Sequence, residues 1–283
     1  MKEERKKNII TLIIDFKHNM TIRNLSVCSA SCAFFFILSF MPILYMAAAV
    51  LPHLGISEKF LVNTIISIVP SVSRNLVSSI VVETYERSEG VLPISAILFL
   101  WFAGQGMLGM IRGLNGAYDV QEKRGYFVLR FTAMLYTFIM IIIFIAMLLF
   151  LVFGDAIVSL IPFADSDNRI IPFLSIQFRV LMILIVGTML FTVIFTYVPG
   201  GKRKFFHQIP GAVFTTVTWG IFSIFFSVYV NNFSHFSMYY GSVTALMVFM
   251  IWLYSCMYIT MIGGYINSFL TMKKTQVKKV LLK

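Results

Sequence analysis

The sequence predicts an all-α membrane protein built as a bundle of six transmembrane helices. Six runs contain no Asp, Glu, Lys or Arg: Val27–Leu51, Val91–Ile111, Phe131–Phe153, Val180–Val198, Ile209–Val230 and Gly241–Leu270. Each reaches or exceeds the ~17–25 residues that a helix needs to cross a bilayer core. Only 12% of residues are charged and 59% are hydrophobic, with a mean hydropathy of +0.87. A soluble domain carries about 25% charged residues, so this chain cannot build a water-facing surface of ordinary size. The connecting segments alternate in charge: 18 of the 23 Lys and Arg residues fall before the first run, after the second, after the fourth and after the last. By the positive-inside rule that alternation puts both termini in the cytoplasm.

Six spans use most of the 283 residues, which leaves a single membrane domain over 1–283. The net charge of +11 is accounted for by topology and contact with anionic lipid, so a nucleic-acid partner is not expected. Cys28, Cys32 and Cys256 all fall inside the runs, with no CxxC pair, and read as small packing residues rather than a disulfide or zinc framework. The basic start at Lys2–Lys7 precedes only a short apolar stretch that Asp15, Lys17 and His18 interrupt, so a cleavable signal is not expected.

Along the chain, residues 8–22 place Ile9, Ile13, Phe16 and Met20 on one face, predicting an amphipathic helix on the cytoplasmic membrane surface. The first span has Ser, Cys and Ala in its inner half, where close helix packing is expected, and Pro42 in its interior, where a kink is expected. The outer segment 56–89 repeats apolar residues every four positions from Ile56 to Ile80. It reads as two amphipathic helices meeting near Pro70. The second span carries Gly106, Gly109, Gly113 and Gly116 at steps of three and four, a smooth face that another helix can approach. Between the third and fourth spans, Pro162, Pro172 and the Asp165–Asn168 cluster mark a loop. "YVPGGKRKFFHQIPG" is a tight inner turn anchored by three bases, and the last span, at 30 residues, tilts or protrudes. A basic tail, 271–283, follows.

The charge-free runs contain no buried ionic relay, which argues against a simple proton or sodium symporter. The histidines His18, His53, His207 and His235 are divided by this topology between the two sides, so they cannot form one site. No HxH, HExxH, Walker or Gly-x-Ser-x-Gly motif is present. No catalytic residue, metal site or cofactor is expected. Candidate contacts for cargo or lipid are Gln105, Arg112, Asn115 and Tyr118 on the second span and its inner end, with Arg124 and Arg130 at the basic inner mouth. Asn115 and Tyr118 share a helical face if the helix continues past Arg112. The plainer reading is structural: Gln105 bonds across the bundle, Arg112 snorkels to lipid phosphates and Tyr118 joins the aromatic belt. Pro42, Gly106, Gly109, Gly113, Gly263 and Gly264 are the candidate packing or hinge positions.

The segments "SASCAFFFILSFMP", "WFAGQGMLGMIRGLNGAYD", "PGAVFTTVTWGIFSIFFSVYVNNF" and "YGSVTALMVFMIWLYSCMYITMIGGYIN" resemble the YihY/BrkB family of bacterial inner-membrane proteins, from about residue 16 to 270 and in the family's order. The resemblance implies six spans with cytoplasmic termini in the bacterial inner membrane. It also implies an envelope function linked to serum resistance, and an older label for the family as a ribonuclease is a misassignment. Where the family often has Gly-Ala-Glu, this chain has Gly263-Gly264-Tyr265, so a mechanism needing a carboxylate there does not carry over. Two readings stand open. One is transporter-like handling of a lipid, or of a lipid-linked or anionic small molecule. The other is a non-transporting envelope assembly or virulence factor. Membrane lipids are partners in both.

Overall fold

The computed structural model describes residues 16–50, 82, 88–152, 170–232 and 243–281, and among these all regular structure is helical. In chain order the helices are α1 (Phe16–Ile22), α2 (Leu25–Val50), α3 (Ser88–Tyr118), α4 (Tyr126–Val152), α5 (Ile170–Tyr197), α6 (Ile209–Asn232) and α7 (Val243–Leu281). A 3-10 turn, Phe205–His207, precedes α6.

Four stretches are long and apolar enough to cross a membrane: Pro93–Tyr118, Tyr126–Ile143, Ile209–Val230 and Leu246–Met272. The pair Phe16–Ile22 and Leu25–Phe40, bent by 54°, makes a fifth if counted as one span. The apolar stretch of α5, Ile183–Tyr197, is too short to be counted with them. The described residues therefore hold four or five spans where six are expected. The outer segment 56–89 lies outside the described residues apart from Val82, Ser88 and Glu89, as do residues 8–15 of the expected surface helix.

Helix ends explain the local geometry. α1 stops at Asn24, whose φ of 53° is the left-handed conformation that asparagine tolerates, and α2 restarts with the Cys28 N–H donating to the Asn24 carbonyl at 3.0 Å. α2 then runs through Pro42 without interruption. α3 ends in a Schellman motif: the Val120 N–H donates to the Asn115 carbonyl at 2.9 Å and the Asp119 N–H to the Gly116 carbonyl at 3.1 Å, with Asp119 at φ 57°. Arg23 covers the same carbonyl end, donating to Ala117 O at 2.8 Å, where a cation also opposes the helix dipole. α7 passes through Gly263 and Gly264 as continuous helix and on to Leu281, so the basic tail extends the last helix rather than following it.

α2 packs along α3; α7 packs on α6, α2 and α3; α5 packs on α6 and α4 on α3. Among the described residues, a cluster of fully buried side chains lies at the end where α3 stops and α4 and α6 begin. Leu25, Ile111, Leu114, Phe195, Met261 and Tyr265 are all fully buried there. Small residues allow the approach. A Cβ on Gly113 would sit 2.6 Å from Met261 Sδ, and one on Gly106 2.7 Å from the Phe36 ring. Phe127, Phe131, Leu135, Phe138 and Ile142 of α4 are exposed, as are Ile221, Ile224, Phe225 and Val228 of α6. An apolar surface of this extent is what lipid, not water, covers.

Candidate functional site

The segment Val198–Gln208, joining α5 to α6, carries Lys202, Arg203 and Lys204 and lies beside the end of α3 and the part of α7 that holds Ser268, Thr271 and Met272. Its placement rests on long-range hydrogen bonds. Asn115, 4% exposed, accepts from the Gly200 N–H at 2.7 Å and donates to Glu122 Oε2 at 2.8 Å. Arg124 closes on the same carboxylate with Nε to Oε1 and Nη2 to Oε2, both 2.8 Å. The Arg124 hydrogen bonds hold the Glu122 carboxyl down at about 2, against its partial burial, and Glu122 in turn pushes the Arg124 guanidinium up. Asn115 thereby clamps the Gly200 turn to the end of α3.

A second knot lies beneath. Tyr118 Oη donates to Gln208 Oε1 at 2.6 Å. Asn267, on α7 and fully buried, accepts from the Gly211 N–H at 2.7 Å and donates to the Gln208 carbonyl at 3.0 Å and to Tyr118 Oη at 3.3 Å. A free N–H in the first turn of α6 is thus capped by a side chain from another helix. Gly211 permits this, because a Cβ there would lie 2.5 Å from Asn267 Nδ2. Arg203 stacks over the Tyr118 ring with Cζ 4.2 Å from its centroid, and Nη1 donates to the Pro199 carbonyl at 3.1 Å. Burial pushes the Arg203 guanidinium down, with Tyr118 opposing.

Above this floor is an open cleft of about 710 Å³. Lys202, Arg203, Lys204 and His207 line it on one side and Ser268, Thr271 and Met272 on the other, and no Asp or Glu is among its lining residues. It suits an anion: a fixed guanidinium, two lysines and hydroxyl groups. Among the described residues, no group of three or more His, Cys, Asp or Glu is arranged to hold a metal ion.

The sequence-derived candidates separate. Tyr118 lines the cleft, and Asn115 braces the Gly200 turn beside it. Arg124 is paired to Glu122 rather than presented at the mouth. Arg112 is exposed on α3 and Gln105 half-buried on the same helix, and neither lines the cleft. Arg130 differs most. α4 begins at Tyr126, five residues before the run expected from charge alone, so Arg130 lies within the apolar stretch Tyr126–Ile143. The helix therefore starts one turn before the charge-free run and includes an arginine. Arg130 is 6% exposed, stacks on Trp101 at 4.2 Å, and donates through Nη2 to the Trp101 carbonyl at 2.9 Å. Gly263 and Gly264 are packed against Thr215 and Leu114. Sequence reasoning missed Arg203 as a fixed cation, and missed Gln208 and Asn267 altogether. The basic turn "PGGKRK" was the available signal for the first; nothing local marks the other two.

The profile of the family described as Virulence factor BrkB matches residues 16–281. The chain belongs to that family. The ribonuclease-like protein YfkH of Bacillus subtilis (strain 168), 35% identical over 251 residues, aligns with 87% of this chain and 90% of its own length. A UPF0761 membrane protein of Pseudoalteromonas translucida (strain TAC 125) is 26% identical over 112 residues, 40% of this chain and 36% of that protein. A UPF0761 membrane protein of Coxiella burnetii (strain Dugway 5J108-111) is 28% identical over 78 residues, 28% of each chain. No solved structure matches. Both knots and the cleft of this BrkB-family chain lie within the residues the profile covers.

Proposed function

We propose that this chain is a transporter-like protein of the bacterial inner membrane that takes up the anionic head of a lipid or other amphiphile in the basic cleft. In this reading six spans cross the membrane, both termini are cytoplasmic and the cleft opens on the cytoplasmic face. The observation that carries it is the cleft of about 710 Å³ lined by Lys202, Arg203 and Lys204 and by no acid. Exposed apolar groups flank the cations: Phe206 is 79% exposed and Met272 40%. A head group held by the cations would therefore leave its tail beside apolar surface. Arg203 needs little ordering on binding, because Tyr118 and the Pro199 carbonyl already hold it.

The name of the Bacillus relative lends support to a ribonuclease, but the cleft lining holds one histidine and no carboxylate, so it does not gather a general acid and base. The family's description as a virulence factor supports a second reading, a non-transporting envelope factor. One experiment separates them. Purified protein in vesicles is tested for transfer of fluorescent phosphatidylglycerol and phosphatidylcholine between leaflets, with Arg203→Ala as the control. Faster transfer of the anionic lipid, lost in the variant, supports handling of an anionic amphiphile. No acceleration of either lipid overturns it in favour of the envelope factor.

A further inference from the structure

Among the described residues, the buried side-chain polar atoms without a hydrogen-bond partner all belong to Arg130: Nε and Nη1. A guanidinium has five N–H donors, and here the hydrogen bond is the one from Nη2 to Trp101 O. The ion pairs among the described residues are Arg23–Asp119 and Arg124–Glu122, so none of the described carboxylates answers Arg130.

The direction of the side chain is as informative as its missing partners. A Cβ built on Gly104 of α3 would lie 3.3 Å from Met134 Cγ and 4.0 Å from Arg130 Cζ. Arg130 precedes Met134 by one helical turn, yet its guanidinium reaches the same level of α3. It therefore points along α4 away from the basic end. Helical side chains lean toward their own N-terminus, and an arginine near a membrane interface normally extends its charge to water. For Arg130 both tendencies point to the basic end, and the side chain goes the other way. Arg112, eight residues along α3 from Gly104 or about 12 Å of helix, is exposed. Arg130 thus holds its charge inward, inside an apolar helix, with donors to spare. An ionisable group so placed in a span marks a binding site or an ion path.

We infer that Arg130, roofed by Trp101, is an intramembrane site for an oxyanion, a phosphate or carboxylate, that reaches the α3–α4 seam from the lipid side. Trp101 forms one wall, its ring stacked on the guanidinium while the residue remains 49% exposed on the lipid-facing side. The surface around the seam is apolar and exposed at Ile97, Leu98 and Phe131, where an acyl chain lies while the head group meets Nε and Nη1. The charge-assisted bonds to the anion replace the missing partners. This site is distinct from the cleft and stands without it.

The test uses the full chain in a neutral detergent, with Trp219→Phe and Trp252→Phe leaving Trp101 as the fluorescent reporter. Dodecyl phosphate, the uncharged detergent dodecyl maltoside and inorganic phosphate are titrated separately. A saturable change of Trp101 emission with dodecyl phosphate, at least about tenfold weaker in Arg130→Met and retained in Arg203→Ala, supports the site. A response to inorganic phosphate as well assigns the anion to a free source; a response to dodecyl phosphate alone assigns it to an amphiphile. Ligand-induced rise of the melting temperature in the natural chain and in Arg130→Met gives the same comparison without altering the other tryptophans. An Arg130→Met protein that responds like the native chain, or a native chain that answers no oxyanion, overturns the inference.

Discussion

Replacing Asn267 by alanine tests the knot that holds the α5–α6 turn, and its cost can be worked from the bonds it makes. Asn267 Oδ1 accepts from the Gly211 N–H at 2.7 Å, so removal orphans a buried backbone donor, at about 1–3 kcal/mol. The Gln208 carbonyl loses the 3.0 Å bond from Nδ2 but keeps the Ala212 N–H at 3.1 Å, which makes that loss small. The 3.3 Å contact to Tyr118 Oη is long, and Tyr118 still donates to Gln208. With the void left by a fully buried amide, the sum is roughly 2–4 kcal/mol. At roughly 2–4 °C per kcal/mol for a chain of this size, thermal unfolding of the purified protein in detergent is expected to fall by roughly 5–15 °C. Tyr118→Phe removes the 2.6 Å bond but leaves the ring under Arg203, and is expected to cost about 1 kcal/mol. Because the two residues share a contact, the double variant is expected to lose less than the sum of the two. An Asn267→Ala protein melting within about 1 °C of the native chain would refute the idea that this side chain caps α6.

Glu122 ties the end of α3 to Asn115 and Arg124, and its carboxyl sits at about 2 against an ordinary 4.5. Its contribution is therefore fully present above about 4.5 and is lost as pH falls toward about 2, so the melting temperature declines over that window and Glu122→Gln flattens the decline. Gly263→Ala would press a Cβ onto Thr215 Oγ1 and to within 2.9 Å of the Gly211 carbonyl, lowering stability by about 1–3 kcal/mol in the same melts. Gly220→Ala, in open space on α6, should be neutral or gain up to about 1 kcal/mol. Arg203→Ala leaves both knots bonded and is expected to weaken binding of an anionic amphiphile by about tenfold or more, read by equilibrium dialysis of a labelled lipid in detergent. Equal binding by variant and native chain would count against the cleft.

Much of the fold is legible in the sequence because membrane helices report themselves locally. A run such as Ile209–Val230 has no charge, and the helix found there, Ile209–Asn232, begins at the same residue. Charge is a poorer guide to where a helix starts. Arg130 ended the charge-free run at Phe131, yet α4 begins at Tyr126 because nothing between Tyr126 and Arg130 breaks a helix, and Trp101 offers the guanidinium a stacking face. The candidate site was half visible. Tyr118 and Asn115 stand at the end of a strongly apolar helix and attract attention as polar exceptions. Gln208 and Asn267 do not, since a lone amide, whether just before a helix or within one, has no periodicity and no motif.

The sequence by itself determined that the chain is apolar enough to live in a membrane, that runs such as Ile209–Val230 are helical, and which connecting turns are basic. Those properties are sums over neighbouring residues, which any window of the chain contains. Tertiary structure alone decided that Asn267 meets Tyr118 across 149 positions and Gly200 meets Asn115 across 85, and that the Arg130 side chain turns inward while Arg203 stacks on a tyrosine. Each of those depends on how distant helices are packed and on which partner satisfies a buried polar group, and such partners cannot be read from spacing along one helix.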